Sequence, residues 1–543
     1  MPDPSPSHVP DEILNRSLRS EHPPFLQTPL VATIAAIYLD RIGFVETIDS
    51  ALAPDPDEWQ MSPGNLAKAI VLFPFIQYFH RRLPYYDLDS YYGWVDMDLL
   101  FTSTARPEWL TPDAFTSMLD SLHAAGPERL FTTLALRAYT AFSIPFDPAI
   151  YGETATFILW GAFEDADDEE SGPARVMLSF ACDPTGIPLA ATTCYGSEAD
   201  CIRDPTTLHT LAEQNPFIYI ADSKIATARN LLGLQEAGLR FAARYPAGLD
   251  RKTATRTIRD AYESDAWLPV DMGREEPDTY EVQEFIRVVG DSKAEFRVLV
   301  FRSSNLREKF ESRISASREE VLSILTDITA REFTHESDAL RAIKSAHWRL
   351  RTHRLWTVDL TAGAGGSGWV IRAGDPELNR DLYRTELQKA ETIVLITNTP
   401  VEELPAQEIL RLATEPKTKK DSFTILEDPI AVDPAFLENP GRVDAFVALL
   451  AYTHLIQRLI RRLVHRNLDT MPEPPRLDAS SRSLARPGLM RILQNIFAYK
   501  LITHQGRRRF QETSQASRTN LPIWLKLLEI DPGTAPGPAH HLR

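Results

Sequence analysis

Three short segments of this 543-residue chain combine residue types that can do chemistry. Glu153 opens Glu153-Thr-Ala-Thr-Phe-Ile-Leu-Trp-Gly161, which reads as a strand. Asp222 closes Ile218-Tyr-Ile-Ala-Asp222, which reads as a buried strand. Lys420 and Asp421 open Lys420-Asp-Ser-Phe-Thr-Ile-Leu-Glu-Asp-Pro429, after a helical stretch. Carboxylates are the oxygen donors that hard divalent cations prefer. An aspartate after a buried strand is also a common helix cap or turn residue. An ammonium cannot ligate a divalent cation.

Other clusters point less far. Arg458, Arg461, Arg462, His465 and Arg466 recur at helical spacing, and Arg507, Arg508 and Arg509 form a second basic cluster beside Phe510. Either suits backbone phosphate contact without sequence readout, or a solvated helix face. The acidic run 164–170 lacks the ligand spacing and central glycine of a calcium loop. Gly363–Gly368 lacks the Lys-Ser/Thr of a phosphate loop. Cys182, Cys194 and Cys201 are odd in number and form no Cys-x-x-Cys pair, which suggests neither a disulfide framework nor a zinc site.

The elements that must position these residues fall in a clear order. Residues 1–27 are rich in proline and charge and are expected to be a disordered tail. Residues 28–148 are helical. Ser62-Pro63 and Thr111-Pro112 each put a cap before a proline at the first helical position. Apolar stripes follow at Leu66, Ala69, Ile70, Phe73 and at Phe115, Met118, Leu119, Leu122. Beyond Phe146 come strands at about Thr154–Trp160, Ala174–Ala181 and Leu189–Tyr195, with turn chemistry at Asp183-Pro-Thr-Gly186. A helix, the strand Phe217–Ala221, a second helix and the strand Phe241–Arg244 complete a mixed sheet with helices on its faces. Glu295–Phe301 and Thr392–Thr397 read as strands, and Arg318–Ile328 as a helix. Val443–Leu468 reads as a long amphipathic helix with Phe446, Leu449, Leu450, Thr453 and Ile456 on one face.

Composition bounds the class. The net charge of −17 argues against general affinity for nucleic acid. Residues 441–543, however, carry 16 Lys+Arg against 7 Asp+Glu, a basic segment on an acidic body. No stretch is recognised as approaching the roughly 20 apolar residues of a spanning helix, and no signal peptide is legible. The expected compartment is the cytoplasm, with no membrane partner.

Taken together, the ordered segments resemble the active-site segments of IS-4-like insertion-sequence transposases, which have an RNase H-like core. The turn 183–189, the segment Gly196-Ser-Glu-Ala-Asp200, residues 404–429 and Phe436–Val443 match in order and spacing. Arg41–Asp49 and Met61–Gly64 resemble an uncharacterised N-terminal domain of one branch of the group. The resemblance covers most of residues 30–530. It implies an α/β, mixed α+β fold. Residues 28–148 would form a helical N-terminal domain and 149–250 the first part of the RNase H-like core. A β-rich insertion would occupy 251–400, core completion 401–470 and a helical C-terminal region 471–543. The family uses Asp, Asp and Glu to clamp two metal ions about 3.5–4 Å apart for strand cleavage and transfer. Those slots hold Glu153, Asp222 and Lys420 here.

The resemblance therefore implies Mg²⁺ or Mn²⁺ on Glu153 and Asp222, with double-stranded DNA as partner. It assigns DNA contact to Arg458, Arg461, Arg462, Arg466 and Arg507–Arg509, and allows a homodimer. Glu153 shifts its carboxylate by roughly 1.5 Å against an aspartate, where such sites tolerate roughly 0.5 Å. Lys420 loses the third acidic position, and Pro416 falls inside the matching helix at a cost of about 3 kcal/mol. Asp421, Glu415 or Glu427 substitutes as ligand only if that helix shifts register. The expected enzyme is a DDE-type transposase with impaired catalysis. The alternative is a non-catalytic DNA-binding or protein-interaction derivative.

Overall fold

Cap chemistry at Ser62 and Thr111 places two of the N-terminal helices where the sequence reads them. The computed structural model describes residues 25–55, 57–77, 84–102, 104–161, 174–194, 206–221, 226–245, 251–273, 278–288, 294–366, 368–414, 430–472, 486–512 and 521–530. After strand β1 (Leu26–Pro29) come helices α1 (Leu30–Arg41), α2 (Phe44–Leu52) and α3 (Pro63–Ile76), the short strand β2 (Pro84–Tyr85), and helices α4 (Leu88–Tyr92), α5 (Pro112–Ala125) and α6 (Pro127–Ala141). Ser62 Oγ accepts from the Asn65 amide at 3.4 Å, and Thr111 Oγ1 from the Ala114 amide at 3.3 Å. Each satisfies one of the amides a helix start leaves orphaned. Gly64 lets α3 lie tightly on α2, since a Cβ there would stand 2.6 Å from the Val45 carbonyl oxygen.

The chain divides into two compact units. Residues 1–225, 236–239 and 416–543 form the first, and 226–235 and 240–415 the second. In the first unit, strands β3 (Ala149–Gly161), β4 (Ala174–Cys182) and β5 (Pro188–Cys194) run antiparallel in sequence. Helix α7 (Thr206–Gln214) leads to β6 (Ile218–Ala221), which returns parallel to β3. The local order is β5-β4-β3-β6. Further along the edge of β3 that pairs with β6, β17 (Ile430–Val432) also pairs parallel, and β2 pairs parallel with β17.

The centre of this unit is a 30-residue helix, α15 (Pro440–Asp469), preceded by α14 (Pro434–Leu437). Asn439 caps α15 by accepting from the Arg442 amide at 2.9 Å. Apolar side chains are buried on nearly every face of α15, from Val443 to Leu468. It is not the one-sided amphipathic helix of the sequence reading. It is long and apolar enough to cross a membrane, but 94% of its apolar window is buried inside the protein, so it is a core helix. The C-terminal segment adds α16 (Leu489–Phe497), β18 (Tyr499–His504), β19 (Arg507–Glu512) and α17 (Leu521–Leu527). The sheet order is β1-β18-β19. The helical C-terminal region expected over 471–543 thus also contains a hairpin. Its two-residue turn, Gln505-Gly506, has φ of 50° and 72°, the geometry that matches strand twist. Pairing of Leu26 and Gln27 with Thr503 and Ile502 also draws the end of the expected tail into a strand.

The second unit holds α8 (Ala228–Glu236), β7 (Arg240–Arg244), α9 (Arg251–Ser264), β8 (Leu268–Val270), β9 (Tyr280–Val288), β10 (Glu295–Ser303) and α10 (Ser304–Thr329). It continues with β11 (Glu332–Phe333), α11 (Glu336–Leu350), β12 (Trp356–Thr357), β13 (Leu360–Ala364), β14 (Trp369–Ala373), β15 (Glu377–Leu378), α12 (Arg380–Ala390), β16 (Thr392–Thr397) and α13 (Ala406–Thr414). Strands β7, β16, β10, β9 and β8 adjoin in that order. Residues 251–400, expected to be β-rich, hold more helix than strand among their described residues. Helix α10 buries only Phe310, Val321, Ile324, Leu325 and Ile328 of its 26 residues. Its apolar periodicity is correspondingly weak in the sequence. The mixed α/β class is as expected.

One ion pair inside the first unit generates a stability prediction. Lys68 of α3 is fully buried, with Nζ 2.5 Å from Asp40 Oδ1. Burial pushes the Lys68 ammonium below its ordinary pKa and the Asp40 carboxyl above its own. Removing the anion strands a buried cation. Asp40→Ala should therefore lose about 3 kcal/mol in urea unfolding, and Lys68→Met, which removes the buried charge, should lose less. An Asp40→Ala loss under about 1 kcal/mol would show that the ammonium is hydrated after all.

Candidate functional site

Glu153 lies five residues into β3, opposite Phe180 of β4. Cross-strand partners share a face, so its side chain stands on the side of the sheet occupied by Phe180. Phe180 in turn meets the His454 ring of α15 at 5.2 Å. Tyr151, Ala155, Phe157 and Leu159, on the same face of β3, are buried, and Glu153 is half-buried. Its carboxylate makes no side-chain hydrogen bond or ion pair among the described residues. Such a group on a core face normally finds a donor or a cation.

The other two acidic-site positions are not described. Asp222, Lys420 and the substitute Asp421 lie outside the described residues, as do Pro416, Glu415 and Glu427. Their neighbours in sequence are placed, however. The β3–β6 register ends at Tyr151 opposite Ile220, and Glu153 and Asp222 stand two residues further on in each segment. The β3–β17 pairing begins at Leu159 opposite Ile430, directly after the segment 415–429. Glu153 therefore sits on the stretch of β3 between the strand that leads into Asp222 and the strand that follows the Lys420 segment. Among the described residues, no group of three or more His, Cys, Asp or Glu side chains is placed to hold a metal ion.

The basic face expected on α15 is corrected by burial. Arg458 and Arg461 are only 4% and 3% exposed. Arg461 Nη2 donates to the Thr185 carbonyl at 2.6 Å, and Arg462 Nη1 donates to Thr185 Oγ1 at 2.7 Å and lies 3.5 Å from Asp183 Oδ2. Arg466 donates to the Phe142 carbonyl and pairs with Glu529. These arginines clamp the β4–β5 turn and its surroundings instead of facing phosphate. The reason is on the turn itself. Asp183 Oδ1 accepts from the Thr185 amide, the Thr185 hydroxyl and the Ile187 amide, which leaves Thr185's carbonyl turned toward the helix. Gly186 takes φ of +82° with the Arg458 guanidinium against it, and a Cβ would come within 3.4 Å of Arg458 Nη1.

His454, Tyr139 and Asp183 belong to the same cluster; the sequence reading gave Asp183 only its turn and gave His454 and Tyr139 no role. Arg458 Nε donates to His454 Nε2 at 3.2 Å. Burial, then the charges of Arg458 and Arg461, hold the His454 imidazole well below its ordinary pKa. Burial, then the Asp183 charge, holds the Tyr139 phenol well above its own. The available sequence signal was the Asp183-Pro-Thr-Gly186 turn together with the i,i+4 spacing of His454, Arg458 and Arg462.

The second basic cluster divides by strand alternation. Arg508 Nε donates to Asp96 Oδ2 at 2.8 Å, beside Thr503, whose hydroxyl donates to the same oxygen at 2.7 Å. Arg507 and Arg509 are exposed on the edge strand β19, and their side chains make no hydrogen bond or ion pair among the described residues.

A family model described as a domain of unknown function, DUF4277, matches residues 29–136, which run from the last residue of β1 through helices α1–α5 and most of α6. No curated protein matches the chain.

The buried imidazole sets a pH dependence. Because the folded-state pKa of His454 is depressed, its neutral form stabilises the fold fully above the unfolded value near pH 6.5. That contribution is lost as pH falls from about 6.5 toward the folded pKa, by up to about 1.4 kcal/mol per pH unit. Urea titrations between pH 7 and 5 should show a steeper decline in the wild type than in His454→Gln. Equal slopes would mean that His454 carries its proton inside the fold.

Proposed function

We propose that the chain is a DNA-binding protein of the IS-4-like transposase type, with an RNase H-like core inherited from a metal-dependent strand-cleaving and strand-joining enzyme, and with cleavage now impaired. The observation that carries this reading is the setting of Glu153. It is a half-buried carboxylate without a described partner, on the central strand of a β5-β4-β3-β6 order. Three antiparallel strands, then a helix and a fourth strand parallel to the first, is the arrangement expected of an RNase H-like core. In that core the first acidic ligand sits on the first strand and the second follows the fourth, as Glu153 and Asp222 do in sequence.

Glu153 suits a cation's oxygen donor by its chemistry and by its lack of a partner among the described residues. Mg²⁺ or Mn²⁺ held there and at Asp222 would polarise the phosphodiester and activate the attacking oxygen. Lys420 offers an ammonium where a third oxygen is needed, which favours a derivative that binds DNA without cutting it. Purified protein with Mn²⁺ should neither nick nor join DNA carrying the ends of its own element. Metal-dependent cleavage that Asp222→Ala abolishes would overturn the impaired reading.

With Arg458 and Arg461 buried and Arg462 and Arg466 held by Thr185, Phe142 and Glu529, the two basic clusters leave the hairpin as the DNA-facing part of this reading. Arg507→Glu and Arg509→Glu should each weaken duplex binding and lower the slope of log K against log salt by about 1 per lost phosphate contact. The check is a salt series on wild type and variants. Unchanged affinity and slope in both would remove the hairpin from the interface.

A further inference from the structure

The 499–512 hairpin is fixed at its base and free at its tip. Tyr499, Leu501 and Ile502 of β18 are buried. Arg508 and Thr503 both donate to Asp96, itself 4% exposed. β1 pairs along the other edge of β18, and Lys500 Nζ donates to Gln27 Oε1 at 3.3 Å. His504, Gln505, Gly506 and Arg507 at the tip are all exposed. A Cβ built on Gly506 would meet nothing within 4 Å, so the turn projects into open space. Strands anchored in this way hold their outer side chains in more defined positions than a loop does.

Gln505 is the unusual residue of this tip. Its φ of 50° is left-handed, a conformation that glycine, asparagine and aspartate adopt more readily. Its side chain makes no hydrogen bond among the described residues, so no local contact accounts for a glutamine there. Arg507 and Arg509 follow on one face of β19, roughly 7 Å apart at strand spacing, and His504 pairs with Arg507. No acid lies between Tyr499 and Gln511. None of the hairpin's large apolar side chains is exposed among the described residues, which sets it apart from elements that enter a lipid surface. Positive charge with an uncharged amide at its apex complements a polyanion that carries donor and acceptor groups between its phosphates.

We propose that the hairpin tip enters the major groove of duplex DNA, where Gln505 reads an adenine while Arg507 and Arg509 hold flanking phosphates. The proposal rests on the DNA-binding reading above and adds sequence readout to it. The major groove, roughly 12 Å wide, admits a two-stranded ribbon, whereas the minor groove is only about 6 Å wide. A glutamine amide matches the adenine edge there: Oε1 accepts from the N6 amino group, and Nε2 donates to N7. Phosphate contacts set the register, and the base contact carries the specificity.

The test enriches a random-sequence duplex pool on the full chain and on its Gln505→Gly variant. Glycine suits the turn's backbone, so the hairpin is kept and only the side chain is lost. The wild type should enrich a motif containing a fixed A·T pair. The variant should enrich the same motif with that pair relaxed, and bind the wild-type motif at least about fivefold more weakly. Replacing that adenine with 7-deazaadenine, which lacks the N7 acceptor, should weaken the wild type and leave the variant unchanged. An unchanged motif and affinity in the variant, or equal sensitivity of both proteins to 7-deazaadenine, would overturn the proposal and leave the DNA-binding reading standing. No duplex binding by the wild type would overturn both.

Discussion

Helix α15 carries Arg458 and Arg461 into an environment from which water is excluded, and the first unit brings acceptors to both. A buried guanidinium is tolerable only where carbonyls and carboxylates are delivered to it. The β4–β5 turn delivers them. Asp183 folds the turn on itself, so that Thr185 presents both its carbonyl and its hydroxyl to Arg461 and Arg462. The sheet that bears Glu153 is thereby tied to the helix beneath it.

The same helix gathers the two ends of the unit. Thr453 donates to the Val71 carbonyl of α3, and Arg442 forms a paired contact of 2.8 Å and 2.8 Å with Asp120 of α5. Tyr38 of α1 donates to the Leu528 carbonyl next to α17. The segment matched by the domain of unknown function is therefore packed on C-terminal helices as part of one hydrophobic core. Positive charge in the C-terminal fifth is consumed internally at Arg458, Arg461, Arg462, Arg466 and Arg508, and only Arg507 and Arg509 of the two basic clusters are left facing outward. A count of basic residues along the chain could not separate these cases, because burial depends on packing against turns far away in sequence.

Much of the fold was legible for local reasons. Ser62-Pro63 and Thr111-Pro112 mark helix starts because caps and first-turn prolines act over three residues. Strands β4, β5, β6 and β16 carry their hydrophobic runs openly. Helix α10 was caught only in its apolar C-terminal half, because its first turns bury little. The hairpin 499–512 was missed because a Gln-Gly turn is a weaker signal than Asn-Gly, and because the flanking arginines look like a helix face.

The sequence by itself determined the residue types available to a site: a glutamate opening one strand, an aspartate closing another, and a lysine where a third acid would be needed. Composition and order along the chain are enough for that, since ligand chemistry resides in the side chain. Tertiary structure alone decided which charges are spent. It put Glu153 on the core face of its sheet without a described partner, and it buried Arg458 and Arg461 of α15 against the 183–187 turn. Each of those outcomes depends on contacts between residues tens to hundreds of positions apart, and desolvation acts on spatial neighbours regardless of their distance along the chain.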